Sequence, residues 1–179
     1  MRTADYDYQL PGELIAQTPL ANRGQSRLMV LHRKSGAIGH HRFSQLPDFV
    51  HPGDLLVLND SRVLPARLYG RRAGSGGRVE MLLLRRLEAG LWEALVRPAR
   101  RVRPGDVVEL TGRDEGAPAA ARCTVVGQGK RGIRTLRFDD EATVRTLGEV
   151  ALPPYVHVPL AQPERYQTVY ARNEGSVAA

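Results

Sequence analysis

Short apolar runs, broken by glycine and by polar turns, dominate the middle of the chain, and no stretch carries the pattern of a long helix. Between Val63 and Phe138 six such runs follow one another: Ala66 to Arg72, Arg78 to Leu87, Leu91 to Val96, Asp106 to Leu110, Ala121 to Val126 and Ile133 to Phe138. Six short strands at this spacing predict a small antiparallel barrel. Closing the sheet would remove the exposed edges that invite aggregation. The flanks read differently. Pro11 near the start of Leu10 to Gln17 predicts a short helical turn. Arg27 to Leu31 and Ala37 to Phe43, separated by a turn at Gly36, predict a hairpin. Ser44 is placed to cap a short helix ahead of a turn at Pro52-Gly53. The uninterrupted apolar run Asp54 to Leu58 predicts a strand buried on both faces. After the six strands, Asp139 or Asp140 caps a helix through Leu147 that ends at Gly148. The remainder, including Leu152-Pro153-Pro154-Tyr155 and Pro163 to Ala171, reads as irregular. The expected organisation is an α/β-like segment (residues 1–62), an inserted β-barrel (63–149) and a return to the first domain (150–179).

The length of 179 residues suits one large domain or two small ones, and 42% hydrophobic with 25% charged residues is ordinary for a folded chain. No apolar run approaches the 18 or more residues that span a membrane, and Met1 to Asp7 lacks the basic and apolar stretches of a secretion signal. The lone Cys123 has no internal disulfide partner, so a cytoplasmic location with a buried thiol is expected. Charge changes the picture. The net charge is +7, and with Lys34 and Lys130 the only lysines among 26 basic residues, the other 24 are arginine. Two readings stand side by side: a nucleic-acid footprint, since the guanidinium fork suits phosphates and bases, or a solvated surface in an arginine-favouring composition.

Familiar catalytic signatures are absent: there is no phosphate-binding glycine loop with its lysine and no cysteine pair for zinc. His40-His41 sit next to each other and would face opposite sides of a strand, which argues against one shared metal. Three segments carry candidate chemistry. Asn59-Asp60-Ser61-Arg62 follows the apolar run, at the kind of strand end where open α/β sheets place ligands; Arg62 and Arg67 would hold the Asp60 carboxylate ionised, although the same residues make an ordinary capped turn. Arg97, Arg100, Arg101 and Arg103 form an arginine cluster that either clamps phosphates or rims a loop. Tyr166-Gln167-Thr168-Val169-Tyr170 offers aromatics for stacking or for packing.

Together these segments resemble the S-adenosylmethionine:tRNA ribosyltransferase-isomerase family of queuosine biosynthesis. The resemblance rests on Gly53 through Leu68, on Leu14-Ile15-Ala16-Gln17 with Ser26-Arg27-Leu28, on Ser75-Gly76-Gly77 with Val79-Glu80, on Val96 to Arg101, on Leu152 to Tyr155 and on Arg165 to Ala171, in that family's order. Ser61 and Ser75 stand where the family often has Thr, and Arg100 where Lys is common, so hydroxyl and charge are kept. The resemblance implies an N-terminal portion of a longer enzyme: an α/β (α+β) main domain, incomplete here, interrupted by a small antiparallel β-barrel. It also implies a ribosyl transfer from S-adenosylmethionine to a 7-aminomethyl-7-deazaguanine base at the tRNA wobble position, with rearrangement to epoxyqueuosine and release of adenine and methionine. A route beginning with proton removal beside the sulfonium needs a positioned base. On this resemblance Asp60 and Arg62 are the expected catalytic residues, and Asn59, Ser61, Arg67, Arg97, Arg101, Tyr155, Tyr166, Thr168 and Tyr170 the expected substrate-binding ones. S-adenosylmethionine is a consumed substrate, so no resident cofactor or metal is implied. The expected partner is tRNA, with no membrane, for a monomer. A narrower alternative makes this chain a tRNA-binding or inert portion of that enzyme.

Overall fold

The computed structural model describes residues 2–114 and 116–177, which fall into two compact units: 1–59 with 153–165, and 60–152 with 166–179. No helix among the described residues is long and apolar enough to cross a membrane.

The first unit is built on a hairpin. β1 (Arg27–Leu31) pairs antiparallel with β2 (Ile38–Arg42), Leu28 opposite His41 and Val30 opposite Gly39. Gly36, with φ +70°, lets the turn reverse, and His32 N–H donates to Ala37 O to close it. Four short 3-10 helices flank it, at Thr3–Tyr6, Gly12–Leu14, Arg23–Gln25 and Phe43–Phe49. The last begins one residue before the expected cap: Gln45 Oε1 accepts from Arg42 N–H, so Ser44 lies inside the turn. Side chains, not strands, hold residues 153–165 to this unit. Gln17 donates to Tyr155 O (2.9 Å) and accepts from His157 N–H (2.8 Å). Arg165 donates to the carbonyls of Leu20 and Ala21, while its own carbonyl accepts from Arg23 (2.7 Å).

One expectation is corrected here. Asp54 to Leu58 is not a doubly buried strand: it carries no regular structure, and Leu55 and Val57 are each 87% exposed. A strand exists only where a neighbour takes up its backbone hydrogen bonds, and no described strand lies in register with this run.

The second unit is a closed barrel. Its strands are β4 (Arg67–Arg72), β5 (Arg78–Glu88), β6 (Leu91–Arg97), β7 (Val107–Leu110), β8 (Ala121–Gln128) and β9 (Ile133–Phe138). They run in the order β4-β5-β6-β9-β8-β7, and every pairing is antiparallel. All six predicted runs are therefore strands of one inserted barrel, within a residue or two at their ends. Period-two alternation sends Leu68, Val79, Met81, Leu83, Val108 and Leu136 inward, each fully buried or nearly so. Each such side chain contributes about 1.5–3 kcal/mol by burial. Cys123 lies among them, its sulfur 3.9 Å from Met81 Sδ, and burial pushes its thiol up to about 12. Closure falls at the β4–β7 seam, where Gly70 faces Leu110 and any Cβ on Gly70 would collide with the Glu109 carbonyl.

β3 (Ser61–Val63) precedes the barrel and pairs in parallel with β10 (Asn173–Ser176), a segment whose sequence carries no strand pattern. Tyr166 onward thus lies with the barrel, beyond the expected bound at residue 149, because a second segment supplies the hydrogen bonds that β3 needs. The one α-helix among the described residues, α1 (Ala142–Leu147), starts a residue later than expected, with Glu141 at its N-cap and Asp140 Oδ1 accepting from Ala142 N–H at 2.9 Å. Gly148 ends it against the Pro65 carbonyl, which leaves no room for a Cβ.

Glu141 anchors this helix to the β5–β6 hairpin. Its carboxylate accepts from Arg86 Nε and Nη2 (2.7 and 2.6 Å), Trp92 Nε1 (2.9 Å) and Gly90 N–H (3.2 Å). Arg86 dominates in lowering the Glu141 pKa to about 2; burial opposes it, and Trp92 and Gly90 assist. A depressed carboxylate stabilises the fold above its unfolded pKa of about 4.3 and loses that contribution as pH falls toward 2. Glu141→Gln is therefore expected to lower the Tm at neutral pH by about 2–4 °C, and the gap should close between pH 4.5 and 2 in thermal scans. A gap constant across that range would contradict the assignment. The exposed run in the first unit makes a second expectation: the chain should bind a hydrophobic-surface dye, and Leu56→Lys with Leu58→Lys should lower that fluorescence.

Candidate functional site

Asp60 stands at the entrance to β3, and its position is set by β10. Its carbonyl accepts from Arg172 N–H (2.9 Å) and Asn173 N–H (3.4 Å), and its exposed carboxylate accepts from Asn173 Nδ2 at 2.8 Å. Ser61 and Arg62 follow in β3, half-buried, opposite Asn173 and Glu174. Glu174 in turn receives a two-pronged hydrogen bond from Arg145 of α1, at 3.0 and 2.7 Å. Arg67 does not join Asp60 as its closeness in sequence suggested. Its backbone exchanges two hydrogen bonds with Glu149, and its Nε lies 3.5 Å from Glu80 Oε1. The strand register carries it away, since Arg67 pairs with Leu82 on the barrel wall.

The wall brings Arg67 instead toward Arg97, the residue opposite Glu80 in the β5–β6 register. Both arginines, with Glu80, Leu82 and Leu95, line a hollow of about 70 Å³. Arg101 lies on the connection from β6 to β7, exposed, and its carbonyl accepts from Arg72 at 2.6 Å. Tyr166 and Thr168 are half-buried in the barrel unit, and Tyr170 is exposed. Asn59 and Tyr155 belong to the first unit, both exposed.

Two residues that sequence reasoning missed hold this frame. Gln167 is buried and bonds both backbone groups of Val63: Val63 N–H donates to its Oε1 (2.8 Å), and its Nε2 donates to Val63 O (2.9 Å). The amide thus stands in for a strand, for which sequence offers no signal. Arg134 is also buried; it donates to Val102 O and Ile133 O, each at 2.7 Å, and to Ala99 O. Here a signal existed, because alternation puts Arg134 on the same face as Leu136 and Phe138. A buried guanidinium devoted to three carbonyls fixes the arginine loop from beneath.

Comparison with known proteins bears on what this arrangement serves. The family described as "Queuosine biosynthesis protein" matches residues 3–179. The chain belongs to the queuosine biosynthesis protein family. Among the relatives of this family member is the S-adenosylmethionine:tRNA ribosyltransferase-isomerase of Dehalococcoides mccartyi (strain CBDB1), 48% identical over 179 residues, which are 100% of this chain and 52% of that protein. The enzyme of the same name from Symbiobacterium thermophilum is 49% identical over 183 residues, again with 52% of its length covered. A crystal structure of S-adenosylmethionine tRNA ribosyltransferase from Thermotoga maritima aligns over 96% of this chain and 56% of that one, at 36% identity and a TM-score of 0.39. The queuosine biosynthesis family chain therefore spans about half the length of the relatives it matches.

The Gln167 clip yields a stability expectation. Gln167→Ala leaves the buried N–H and C=O of Val63 without partners, which should cost about 2–3 kcal/mol in urea unfolding. Gln167→Glu still accepts but no longer donates, so it should fall between. Wild-type stability for both variants would show that water replaces the clip.

Proposed function

We propose that, in a protein of the relatives' full length, this chain supplies part of an S-adenosylmethionine:tRNA ribosyltransferase-isomerase. The reaction moves the ribosyl unit of S-adenosylmethionine to 7-aminomethyl-7-deazaguanine at the wobble position of tRNA. The unit rearranges to the epoxycyclopentanediol of epoxyqueuosine, and adenine and methionine depart. S-adenosylmethionine is consumed, so its place is that of a substrate. The observation that carries this reading is the match along the whole chain to relatives bearing that name.

The geometry supports roles for particular residues. Asp60 presents an exposed carboxylate, itself bonded by Asn173 Nδ2, on a backbone carbonyl anchored by two hydrogen bonds from Arg172 and Asn173 N–H. Such a group suits either of two tasks: a base for the carbon beside the sulfonium, or a counter-charge to the sulfonium itself. Arg62 follows it in β3, and Asn59 and Ser61 are the sequence neighbours of Asp60. Arg67, Arg97 and Arg101 suit phosphate oxygens; Tyr166 and Tyr170 in the barrel unit, and Tyr155 in the first unit, each offer a ring for stacking, and Thr168 offers a hydroxyl. The half-length coverage favours a narrower role for the chain by itself, RNA binding without turnover.

Adenine release tests both roles. The 179-residue chain, given S-adenosylmethionine and tRNA carrying the precursor base, should yield none, while the full-length protein should yield it. Turnover by the chain alone would overturn the division. In the full-length protein, Asp60→Asn should lower turnover by about 10²–10⁴-fold with tRNA affinity kept if Asp60 is the base. Normal turnover would make it a turn residue.

A further inference from the structure

Antiparallel closure puts three connections at one end of the barrel: residues 73–77 after β4, 98–106 after β6 and 129–132 after β8. We propose that this end is the surface on which the chain holds RNA backbone, with Lys130 and Arg131 of the 129–132 turn bonding phosphates directly beside the arginine loop. The inference rests on the tRNA reading above and gives it a place.

The charge of the molecule is concentrated there. Residues 71–78, 97–106 and 128–134 together hold ten arginines and lysines and one acidic residue, Asp106, an excess of nine against +7 for the whole chain. The remainder is thus slightly negative. At the opposite end Glu88, Asp114, Asp139, Asp140 and Glu141 outnumber Arg86, Arg113 and Arg137. A composition bias toward arginine would spread charge over the surface; here it is polar along the barrel axis. Arg97, Arg100, Arg101, Arg103, Lys130 and Arg131 are all exposed.

The backbone supports these side chains at a cost. Arg131 has φ +54°, the only non-glycine residue in the left-handed region among those described. That conformation costs an L-residue roughly 1–2 kcal/mol, and Asn or Gly would occupy it more cheaply. The turn is packed against the arginine loop: Val96 N–H donates to Gly132 O at 3.0 Å, and a Cβ at Gly132 would lie 3.5 Å from that of Ala99. Arg134 holds the same loop through the Val102 and Ala99 carbonyls. Two adjacent connections are therefore built as one rigid basic surface.

The chemistry favours a phosphodiester chain over a lipid surface. The large apolar residue of the arginine loop, Val102, is buried, and the 129–132 turn has none to insert into a bilayer. Guanidinium forks match phosphate oxygens two at a time.

Fluorescence anisotropy with an unmodified tRNA transcript, over a salt series, tests this. For the 179-residue chain, Lys130→Gln with Arg131→Asn should weaken binding. It should also reduce the slope of log K against log salt by about 0.7–0.9 for each phosphate no longer neutralised. The urea midpoint of that variant should stay level or rise, since Asn relieves the left-handed backbone. Arg137→Gln, which breaks an exposed pair with Glu88 (3.2 Å) toward the other end, should leave binding unchanged. An unchanged slope and affinity in the double variant would overturn the inference. So would absence of tRNA binding at low salt, or equal binding to phosphatidylserine vesicles. Adenine release separates the two readings. If the full-length double variant keeps its tRNA affinity and its turnover, only the docking surface is wrong. If unaltered full-length protein releases no adenine while the double variant still loses affinity, only the reaction is wrong.

Discussion

The closure of β4 onto β7 organises the larger unit. At that seam Gly70 lets the two backbones approach to within hydrogen-bond reach, and no strand of the barrel is left with an open edge. Closure does more than stabilise. It converts three connections far apart in sequence into one end of a cylinder, and it is there that the arginines meet. The β6–β9 pairing sets the 129–132 turn beside the arginine loop, and the seam completes the ring.

Where strands run out, single side chains take over the work of hydrogen bonding. Gln17 bonds the carbonyl of Tyr155 and the N–H of His157, and Gln167 bonds both groups of Val63. Arg165 and Arg134 each gather carbonyls from loops that no strand could reach. A buried backbone group left unpaired costs about as much as a lost hydrogen bond, so Gln167 and Arg134, whose bonds are buried or partly buried, do most to give their irregular segments one conformation. The Asp60 segment is held in this way from two sides, by Gln167 at Val63 and by Asn173 at Asp60 itself.

Electrostatics divides the barrel unit in a complementary manner. On the acidic side, charges are consumed locally: Glu141 with Arg86, Glu88 with Arg137, and Glu149 with Arg113. At the basic end, Asp106 is the only acid among ten basic residues, and most of their side chains face solvent. Paired charges hold the fold together at one end, and the other end carries a net positive charge.

Sequence by itself determined the local elements wherever period-two alternation was strong, because alternation is a property of neighbouring residues. Thus the six barrel strands and the β1–β2 hairpin were legible, and the acidic start with Gly148 marked the helix after the barrel. The family was legible too, through runs such as Gly53 to Leu68. Tertiary structure decided what depends on partners distant in sequence. Asp54 to Leu58 is as apolar as any core strand, yet it remains exposed, since apolarity cannot supply the neighbour that a strand must bond. The tail from Asn173 looked irregular and became a strand because Ser61 to Val63 offered its backbone. Arg67 stands close after Arg62, but strand register turned it to Glu80 instead of Asp60. The meeting of Arg97 to Arg103 with Lys130 and Arg131 likewise arises only when β6 pairs with β9, which brings two loops well separated in sequence side by side.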